Sequence, residues 1–346
     1  MPSLEKLGLS NNQLTGELPD CWWDMQALQL MDLSNNSFIG EIPTAPTSFS
    51  CYLLSLHLAG NGFTGVFPSI VRGCNELVIL NLGNHRSNDF SDKIPLELSL
   101  LSQLQFLDLS NNSLTGLIPS AFGIFLTSMK HPKNVSTPES LGLTWKGHAL
   151  TSRNMFDYLN RIDIIWKGQE LSFQIMIEPI GMKLMTGIDL SSNSLSQCIP
   201  EASTNLQGLR FLNLSRNHLS RGIPENIGSL KYLECLDLSQ NELSGTIPPG
   251  LSDLQSLGKL DLSNNHLSGK IPTVNQLQTL TDLSIYSNNS GLCGFPLDIP
   301  CTHASLASAE RNGRDYEDQW LYYCVIAGIV FGNLALVRGA LFRCKL

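Results

Sequence analysis

Apolar residues recur along this chain in one pattern, LxxLxLxxNxLxGxIP, which eight segments share. The asparagines that mark the copies are Asn12, Asn36, Asn61, Asn112, Asn193, Asn217, Asn241 and Asn265. Most neighbouring copies lie 24 or 25 residues apart, but 81 residues separate Asn112 from Asn193. A ninth copy, LVILNLGNHRSNDFSDKIP, fits if His85 takes the asparagine position and three extra residues follow it. This period predicts stacked coils that together bury one continuous core.

Each position of the motif has a mechanical role. In the copy around Asn241, Leu236 and Leu238 are predicted to point into the core from a short parallel strand. The Asn241 amide both donates and accepts, so it can satisfy buried backbone groups of its own coil and the next. Gly245 permits a tight bend and Pro248 ends the segment. The sequence therefore predicts an α/β solenoid, a right-handed leucine-rich repeat superhelix with a concave parallel sheet, five coils before the gap and four after it.

The pattern divides the chain into seven parts. These are repeats 1–126, an inserted island 127–183, repeats 184–272, a C-terminal cap 273–301, an acidic spacer 302–319, a transmembrane helix 320–342 and a cytosolic stub 343–346. The island obeys no repeat, and IDIIWKGQELSFQI within it has the composition of strands. Long ordered loops on rigid scaffolds commonly carry binding residues, although a passive spacer is the alternative.

The two ends of the chain carry different signals. Leu4 and Leu7 already occupy core positions and no signal peptide precedes them, which favours an N-terminally truncated product or an incomplete gene model. At the other end, a disulfide between Cys293 and Cys301 would close the last coil. Two further cysteines, Cys51 and Cys74, occupy near-equivalent places in adjacent coils. Whether that second pair is bonded stays open from the sequence.

A membrane span is predicted near the C-terminus. Residues 321–337 are apolar apart from Asn333, close to the lower length limit for a bilayer helix. Aromatic residues flank one end and basic residues the other, which predicts a single-pass plasma-membrane protein with its repeats extracellular and a helix in contact with lipid. Gly328 and Gly332 form a GxxxG pair that lets a partner helix approach closely. The few residues that follow cannot hold a catalytic domain.

Composition narrows the function further. The chain has 42% hydrophobic and 15% charged residues and a formal net charge of −8, without a basic stripe that would suggest nucleic acid. No HExxH, GxSxG, P-loop or kinase motif is present, so no catalytic residue, cofactor or metal site is predicted. Five glycosylation sequons favour a secreted ectodomain. They begin at Asn35, Asn111, Asn134, Asn213 and Asn288.

The LxGxIP ending of the repeats resembles the plant extracellular leucine-rich repeat family. The order of repeats, island, four repeats, GLCG…C cap, acidic spacer and membrane helix is similar to that of the kinase-less receptor-like proteins, such as receptors of fungal xylanase. The island matches their Tyr-x8-Lys-Gly motif at Tyr158, Lys167 and Gly168. The resemblance implies an extracellular peptide or protein ligand in defence or development, and signalling through adaptor and co-receptor receptor kinases, with the last four repeats engaging the co-receptor. Arg221 departs from the pattern, because it occupies the position where the repeat has glycine.

Side chains between the core leucines are expected on the concave face, where a ligand would bind. Phe106 and Asp108 lie there before the island, and Arg210, Phe211 and Arg216 after it; aromatic and arginine side chains commonly dominate binding energy. A glycan on Asn213 would mask part of this face. Aspartates recur at one place in five coils, where a solvated face is expected. They are Asp32, Asp108, Asp189, Asp237 and Asp261.

Two alternatives belong to other functional classes. One is a soluble or wall-localised inhibitor of a pathogen enzyme, similar to the polygalacturonase-inhibiting proteins; the island and the membrane helix argue against it. The other is a fragment of a receptor kinase that lacks its kinase. The island motif at Tyr158, Lys167 and Gly168 and the short tail argue against that interpretation.

Overall fold

The computed structural model describes most of the repeat region. The described residues are 4–44, 51–69, 73–83, 88–126, 129, 161–166, 169–174 and 186–301. The chain separates into two units, Met1–Pro300 and Cys301–Leu346, and all the elements below belong to the first. Among the described residues no helix is both long and apolar enough to cross a bilayer. The predicted span 320–342, with Gly328 and Gly332, lies outside them.

Two parallel sheets run the length of this unit, which confirms the predicted stack of repeats. Strands are numbered in chain order across both sheets. The nine-stranded sheet consists of β1 (Lys6–Gly8), β3 (Leu30–Asp32), β5 (Ser55–His57), β7 (Ile79–Asn81), β9 (Phe106–Asp108), β13 (Gly187–Asp189), β15 (Phe211–Asn213), β17 (Cys235–Asp237) and β19 (Lys259–Asp261). The ten-stranded sheet consists of β2 (Thr15–Gly16), β4 (Ser37–Glu41), β6 (Gly62–Val66), β8 (Asp89–Lys93), β10 (Ser113–Gly116), β14 (Ser194–Gln197), β16 (His218–Arg221), β18 (Glu242–Thr246), β20 (His266–Lys270) and β21 (Gly291–Cys293). Each of the nine coils therefore contributes one strand to each sheet, and β21 adds a tenth strand to the second.

The solenoid continues directly across the island. Strand β9 pairs in parallel with β13, so Phe106 lies opposite Gly187 and Asp108 opposite Asp189. The amide of Leu109 donates to the carbonyl oxygen of Asp189 at 2.8 Å. Five strands of the nine-stranded sheet thus precede the island and four follow it. The coils before and after the island form one continuous stack.

The island itself contributes a separate hairpin. Strands β11 (Arg161–Trp166) and β12 (Gln169–Gln174) pair antiparallel in a two-stranded sheet, which confirms the strands expected in this segment. The register places Trp166 opposite Gln169. Lys167 and Gly168 fall between these strands and, like Tyr158, lie outside the described residues.

Short helices follow strands of the ten-stranded sheet along the chain, and those of neighbouring coils contact one another. They are 3₁₀ helices at Asp20–Asp24, Leu96–Leu100, Glu201–Asn205, Glu225–Ser229, Pro249–Asp253, Asn275–Thr279 and Leu283–Ile285, and one α-helical turn, α1, at Phe122–Phe125. Helix α1 packs against Glu201–Asn205 across the island so closely that a Cβ on Gly123 would overlap the carbonyl oxygen of Ala202. Only glycine permits this approach.

The core is the predicted stack of motif leucines. Leu236, Leu238 and Leu243 are 0–1% exposed, and their equivalents in other coils form one cluster with them. In the second to fourth coils phenylalanines take one of these positions, and the rings of Phe38 and Phe63 stack with centroids 6.1 Å apart. Because a single coil cannot bury such residues alone, stability depends on neighbouring coils.

The repeat asparagines form a hydrogen-bonded ladder between coils. Asn241 donates to the carbonyl oxygens of Leu214 at 2.9 Å and Leu238 at 3.2 Å, and its Oδ1 accepts from the Leu219 amide at 3.0 Å. Since Leu214 and Leu219 belong to the preceding coil, each asparagine joins its coil to the one before it. The predicted bridging role is confirmed, with the direction reversed.

The ladder corrects two details of the sequence-based prediction. In the irregular fourth coil Asn88, not His85, is the rung: it donates to the Leu58 carbonyl at 3.2 Å and accepts from the Phe63 amide at 3.1 Å. The extra residues therefore precede the rung, and His85 lies outside the described residues. After the ninth coil, Asn289 adds a tenth rung by donating to the Leu262 carbonyl at 3.0 Å. The cap begins as a further, shortened coil.

One disulfide that the sequence left open is present. Cys51 and Cys74 are bonded, with their Cα atoms 4.7 Å apart and a sequence separation of 23. Both side chains are buried within the core cluster. The bond therefore links two adjacent coils on the core side of the sheets.

The repeat glycines occupy a left-handed turn in the ten-stranded sheet. Gly245 has φ +81°, and a Cβ added there would meet open space. In three coils other residues adopt this conformation: Asp92 at φ 72°, Gln197 at φ 71° and Arg221 at φ 68°. A non-glycine residue there costs about 1–3 kcal/mol. Arg221 therefore occupies the glycine position of the repeat with a strained backbone.

Replacing Gln197 with glycine should stabilise the protein by about 0.5–1 kcal/mol, because the relieved strain exceeds the added entropy of the unfolded chain. Urea denaturation of the full chain would measure the change. The reciprocal variant Gly245→Ala, at the equivalent position two coils later, should lose about 1 kcal/mol. Equal effects of the two changes would contradict the assignment of strain to this turn.

Candidate functional site

The outer face of the nine-stranded sheet is turned away from the core and carries three of the predicted ligand residues, Phe106, Asp108 and Phe211. Two rows cross the strands on either side of the island. One contains Phe106, Gly187, Phe211, Cys235 and Lys259, and the other contains Asp108, Asp189, Asn213, Asp237 and Asp261. Side chains within a row are neighbours because adjacent strands lie about 4.8 Å apart.

The two phenylalanines of this face are not the exposed ligand contacts that the sequence predicted. Phe106 is 1% exposed and Phe211 0%, although neither belongs to the core cluster. The ring of Phe106 lies against the backbone of Gly187, where an added Cβ would come within 2.9 Å of its Cε2 atom. The glycine between the two phenylalanines therefore provides the space in which they pack.

The prediction of a solvated row of aspartates is wrong for four of the five. Asp108, Asp189, Asp237 and Asp261 are 2–7% exposed, while Asp32 is half-buried. The Oδ1 atom of Asp237 accepts from the amide of Ser239 at 2.9 Å and from its hydroxyl at 2.7 Å. Such side-chain bonds to the residue two positions later stabilise the turn that follows each strand. Asp108, a predicted ligand residue, accepts from the Ser110 amide at 2.9 Å in the same way.

Asp189 has the most perturbed environment in this row. Burial, and next the negative charge of the neighbouring Asp108, raise the pKa of its carboxyl to about 8. Hydrogen bonds from Ser191 and Asn213 oppose the shift without cancelling it. Near neutral pH a large fraction of this carboxyl is therefore protonated in the folded protein.

Asn213 is a structural residue rather than an accessible glycosylation site. It is 2% exposed, its Nδ2 donates to Asp189 Oδ2 at 3.1 Å, and its Oδ1 accepts from the Ser215 amide at 3.1 Å. A glycan on Asn213 is incompatible with these contacts, which corrects the predicted masking of this face. Asn35 and Asn288 are exposed, Asn111 is half-buried, and all three adopt the same left-handed turn conformation. Asn134 lies outside the described residues.

The accessible part of the predicted site carries both basic and acidic side chains. Arg210 forms an ion pair with Glu234, and their side chains are 18% and 47% exposed. Lys259 follows on the next strand and is half-buried. We call Arg210, Glu234 and Lys259 the charged edge. Sequence reasoning found Arg210 but missed Glu234, although its position 24 residues later is the signal that the two side chains meet.

Arg216 lies apart from the charged edge. It is exposed and occupies the turn after β15 with φ 54°, where several other coils have asparagine or glycine. Its amide donates to the Ser239 carbonyl at 2.9 Å, which holds its backbone in the turn. Arg210 thus precedes β15 and Arg216 follows it, although the sequence had grouped them.

In the cap, Cys293 and Cys301 are each disulfide-bonded. The amide of Gly294 donates to the Ile299 carbonyl at 2.8 Å, which folds the intervening segment back on itself. Tyr286, in the core cluster, is 1% exposed, and burial raises the pKa of its hydroxyl to about 12. Strand β21 continues the ten-stranded sheet at this end of the stack.

Comparison with known proteins agrees with this architecture. The Leucine Rich Repeat family profile matches residues 3–25, 27–49, 103–125, 208–230, 232–254 and 256–275. Receptor-like protein EIX2 of Solanum lycopersicum is 40% identical over 228 residues, covering 60% of this chain and 21% of that protein. Receptor-like protein 7 of Arabidopsis thaliana is 32% identical over 117 residues, covering 34% of this chain and 11% of that protein.

Solved structures show the same fold. The ectodomain of the Arabidopsis receptor kinase HAESA, in complex with an IDA peptide hormone ligand, superposes with a TM-score of 0.59 at 30% identity and covers 84% of this chain and 38% of that one. A plant ice-binding protein superposes with a TM-score of 0.54 at 25% identity. The match covers 86% of this chain and 84% of that one. The fold therefore occurs with more than one function.

The chain thus contains leucine-rich repeats in six matched segments. Its sequence relatives are plant receptor-like proteins, and it spans 11–24% of the length of those it matches.

Proposed function

We propose that this chain is the ligand-binding region of a plant cell-surface receptor-like protein, and that the ligand is an extracellular peptide or protein. One observation carries the proposal: the nine-stranded sheet continues in register across the island, with an accessible charged edge beside the join. The similarity to receptor-like proteins and to a peptide-bound receptor ectodomain supports the same class.

The charged edge favours a ligand with charged groups of its own. Arg210 presents a guanidinium that can hold a carboxylate through two hydrogen bonds, and Lys259 adds a second positive charge nearby. Glu234 already pairs with Arg210. A ligand carboxylate would compete for the arginine, while a ligand cation would approach Glu234. Long extended peptides across the strands fit this arrangement better than small molecules.

A binding experiment tests the proposal. The full chain in detergent micelles is titrated with purified fungal xylanase and with members of a displayed random peptide library. We expect saturable binding that Arg210→Ala weakens at least about tenfold, as truncation of a buried or half-buried arginine contact commonly does. The matched control is Lys231→Ala, an exposed cation after the 3₁₀ helix Glu225–Ser229. Equal losses in both variants, or no saturable binding by any probe, would reject the site.

We also propose that residues 320–342 anchor the chain in the plasma membrane with the repeats outside, and that adaptor and co-receptor kinases carry the signal. The sequence supports this through its apolar run, its flanking charges and the Gly328/Gly332 pair. Replacing both glycines with leucine should weaken co-purification of a receptor kinase while the chain stays in the carbonate-insoluble membrane fraction. Release of the unmodified chain by carbonate would reject the anchor itself.

The cap disulfide is a separate prediction. We expect Cys293 and Cys301 to be bonded to each other, because the Gly294–Ile299 contact returns the chain between them. Peptide mapping without reduction should recover one cross-linked fragment containing both cysteines, alongside a second fragment joining Cys51 and Cys74. Recovery of either Cys293 or Cys301 with a different cysteine would contradict the pairing.

A further inference from the structure

Two carboxyl groups meet where the sheet crosses the island. The register of β9 and β13 places Asp189 directly opposite Asp108, and the two residues are 2% and 7% exposed. Neighbouring strands in a sheet lie about 4.8 Å apart, so the two carboxyl groups are close. Like charges at this distance in a buried site strongly oppose simultaneous ionisation.

The surroundings offer hydrogen bonds to this pair but little opposite charge. Asp189 accepts from the Ser191 amide at 2.9 Å, from the Ser191 hydroxyl at 2.6 Å and from Asn213 at 3.1 Å. On the other side, β7 and the turn after it bring Asn81 and Gly83, which carry no charge. From β15 the facing residue is Asn213, and the nearby Arg210 is engaged by Glu234. Among the described residues that act on Asp189, the charged one is Asp108.

We propose that the Asp108–Asp189 pair makes the β9–β13 join proton-dependent. While the pair keeps a proton, the coils before and after the island are firmly joined. When both carboxyl groups ionise, their repulsion loosens this join. The recognition surface beside it, including Arg210, would therefore be best ordered in acidic surroundings.

The direction in which stability changes with pH follows from the protonation of Asp189. Its pKa is raised from 3.8 to about 8 in the folded protein, so between these values the folded chain binds a proton that the unfolded chain has lost. Stability from this group is complete below pH 4, declines as the pH rises towards about 8, and is lost above that. Acidification thus strengthens the join and alkaline pH weakens it.

Amide hydrogen exchange of the full chain in detergent micelles can test this directly. Two of the amides that cross the join are those of Leu109, bonded to the Asp189 carbonyl, and Gly187, bonded to the Gln105 carbonyl. After correction for intrinsic rates, their protection should fall at least about tenfold between pH 5.5 and pH 8.5. The Leu214 amide, bonded to the Asp237 carbonyl where Asn213 rather than an aspartate faces Asp237, should change less. Equal changes in protection at all three amides would contradict an effect confined to the join.

Matched variants distinguish the contribution of the Asp108–Asp189 pair from that of neighbouring residues. Asp189→Asn keeps an acceptor for Ser191 but cannot ionise, so protection at the join should no longer depend on pH. Asp261→Asn, at the same strand position in the ninth coil, should leave the response at the join intact. If Asp189→Asn folds poorly, Asp108→Asn provides a second measurement, since removing one negative charge should shift the pH of the transition. A pH response that survives Asp189→Asn, or an unchanged transition in Asp108→Asn, would overturn the proposal.

Discussion

Asn217→Ala should cost about 3–5 kcal/mol of stability. The Asn217 side chain donates to the carbonyl oxygens of Leu190 at 3.0 Å and Leu214 at 3.1 Å, and accepts from the Leu195 amide at 3.0 Å. These groups are buried between coils, so alanine leaves them without partners and without water. Urea denaturation of the full chain, followed by circular dichroism, would measure the loss.

The control for this prediction is Asn226→Ala. Asn226 is exposed and its side chain bonds only to Glu201 among the described partners, at 2.6 Å. Its removal should cost less than about 1 kcal/mol, because water replaces the lost bond. Comparable losses at Asn217 and Asn226 would show that the ladder contributes no more than an ordinary surface contact.

Gly123→Ala should destabilise the chain by at least about 3 kcal/mol, at the upper end of the usual cost of overpacking. The new Cβ would overlap the carbonyl oxygen of Ala202, and neither backbone can move without separating α1 from the 3₁₀ helix Glu201–Asn205. Because these elements belong to the coils on either side of the island, the variant should weaken the join itself. The same denaturation experiment applies, with limited proteolysis near residues 122–126 as a local measure.

Gly222→Ala is the matched substitution. A Cβ at Gly222 would have its nearest neighbour, the Ser244 carbonyl oxygen, at 3.9 Å, which is an ordinary contact. The change should therefore alter stability by no more than about 0.5 kcal/mol. If Gly123→Ala were equally harmless, the close packing of α1 against the following coil would not limit the fold.

Much of the fold could be predicted because its signals are local and repeated. A leucine such as Leu236 recurs at a fixed distance in every coil, and the same side chain must pack against its own equivalents. The bridging role of Asn241 could be predicted for the same reason. The prediction for the irregular coil was wrong at His85. Sequence spacing alone could not tell whether the extra residues precede or follow the bridging residue. In the structure Asn88 bonds the Phe63 amide and the Leu58 carbonyl.

The candidate site was less predictable. Phe106, Asp108 and Phe211 alternate with core leucines, so they were expected to be exposed. Their burial depends on which residues lie opposite them on neighbouring strands. The pattern identified the face but not which side chains would remain accessible on it.

The sequence by itself determined the repeat architecture, the period of the coils and the core positions, because a stacked repeat records its packing once per coil. The matching LDLSNN and IDLSSN segments predicted that the coils before and after the island would stack, and the structure gives the register in which they pair. Tertiary structure alone decided that Cys51 bonds Cys74 and that the carboxyl groups of Asp108 and Asp189 are buried. Bonding and electrostatic repulsion depend on distances between side chains, and those distances exist only when the coils are stacked.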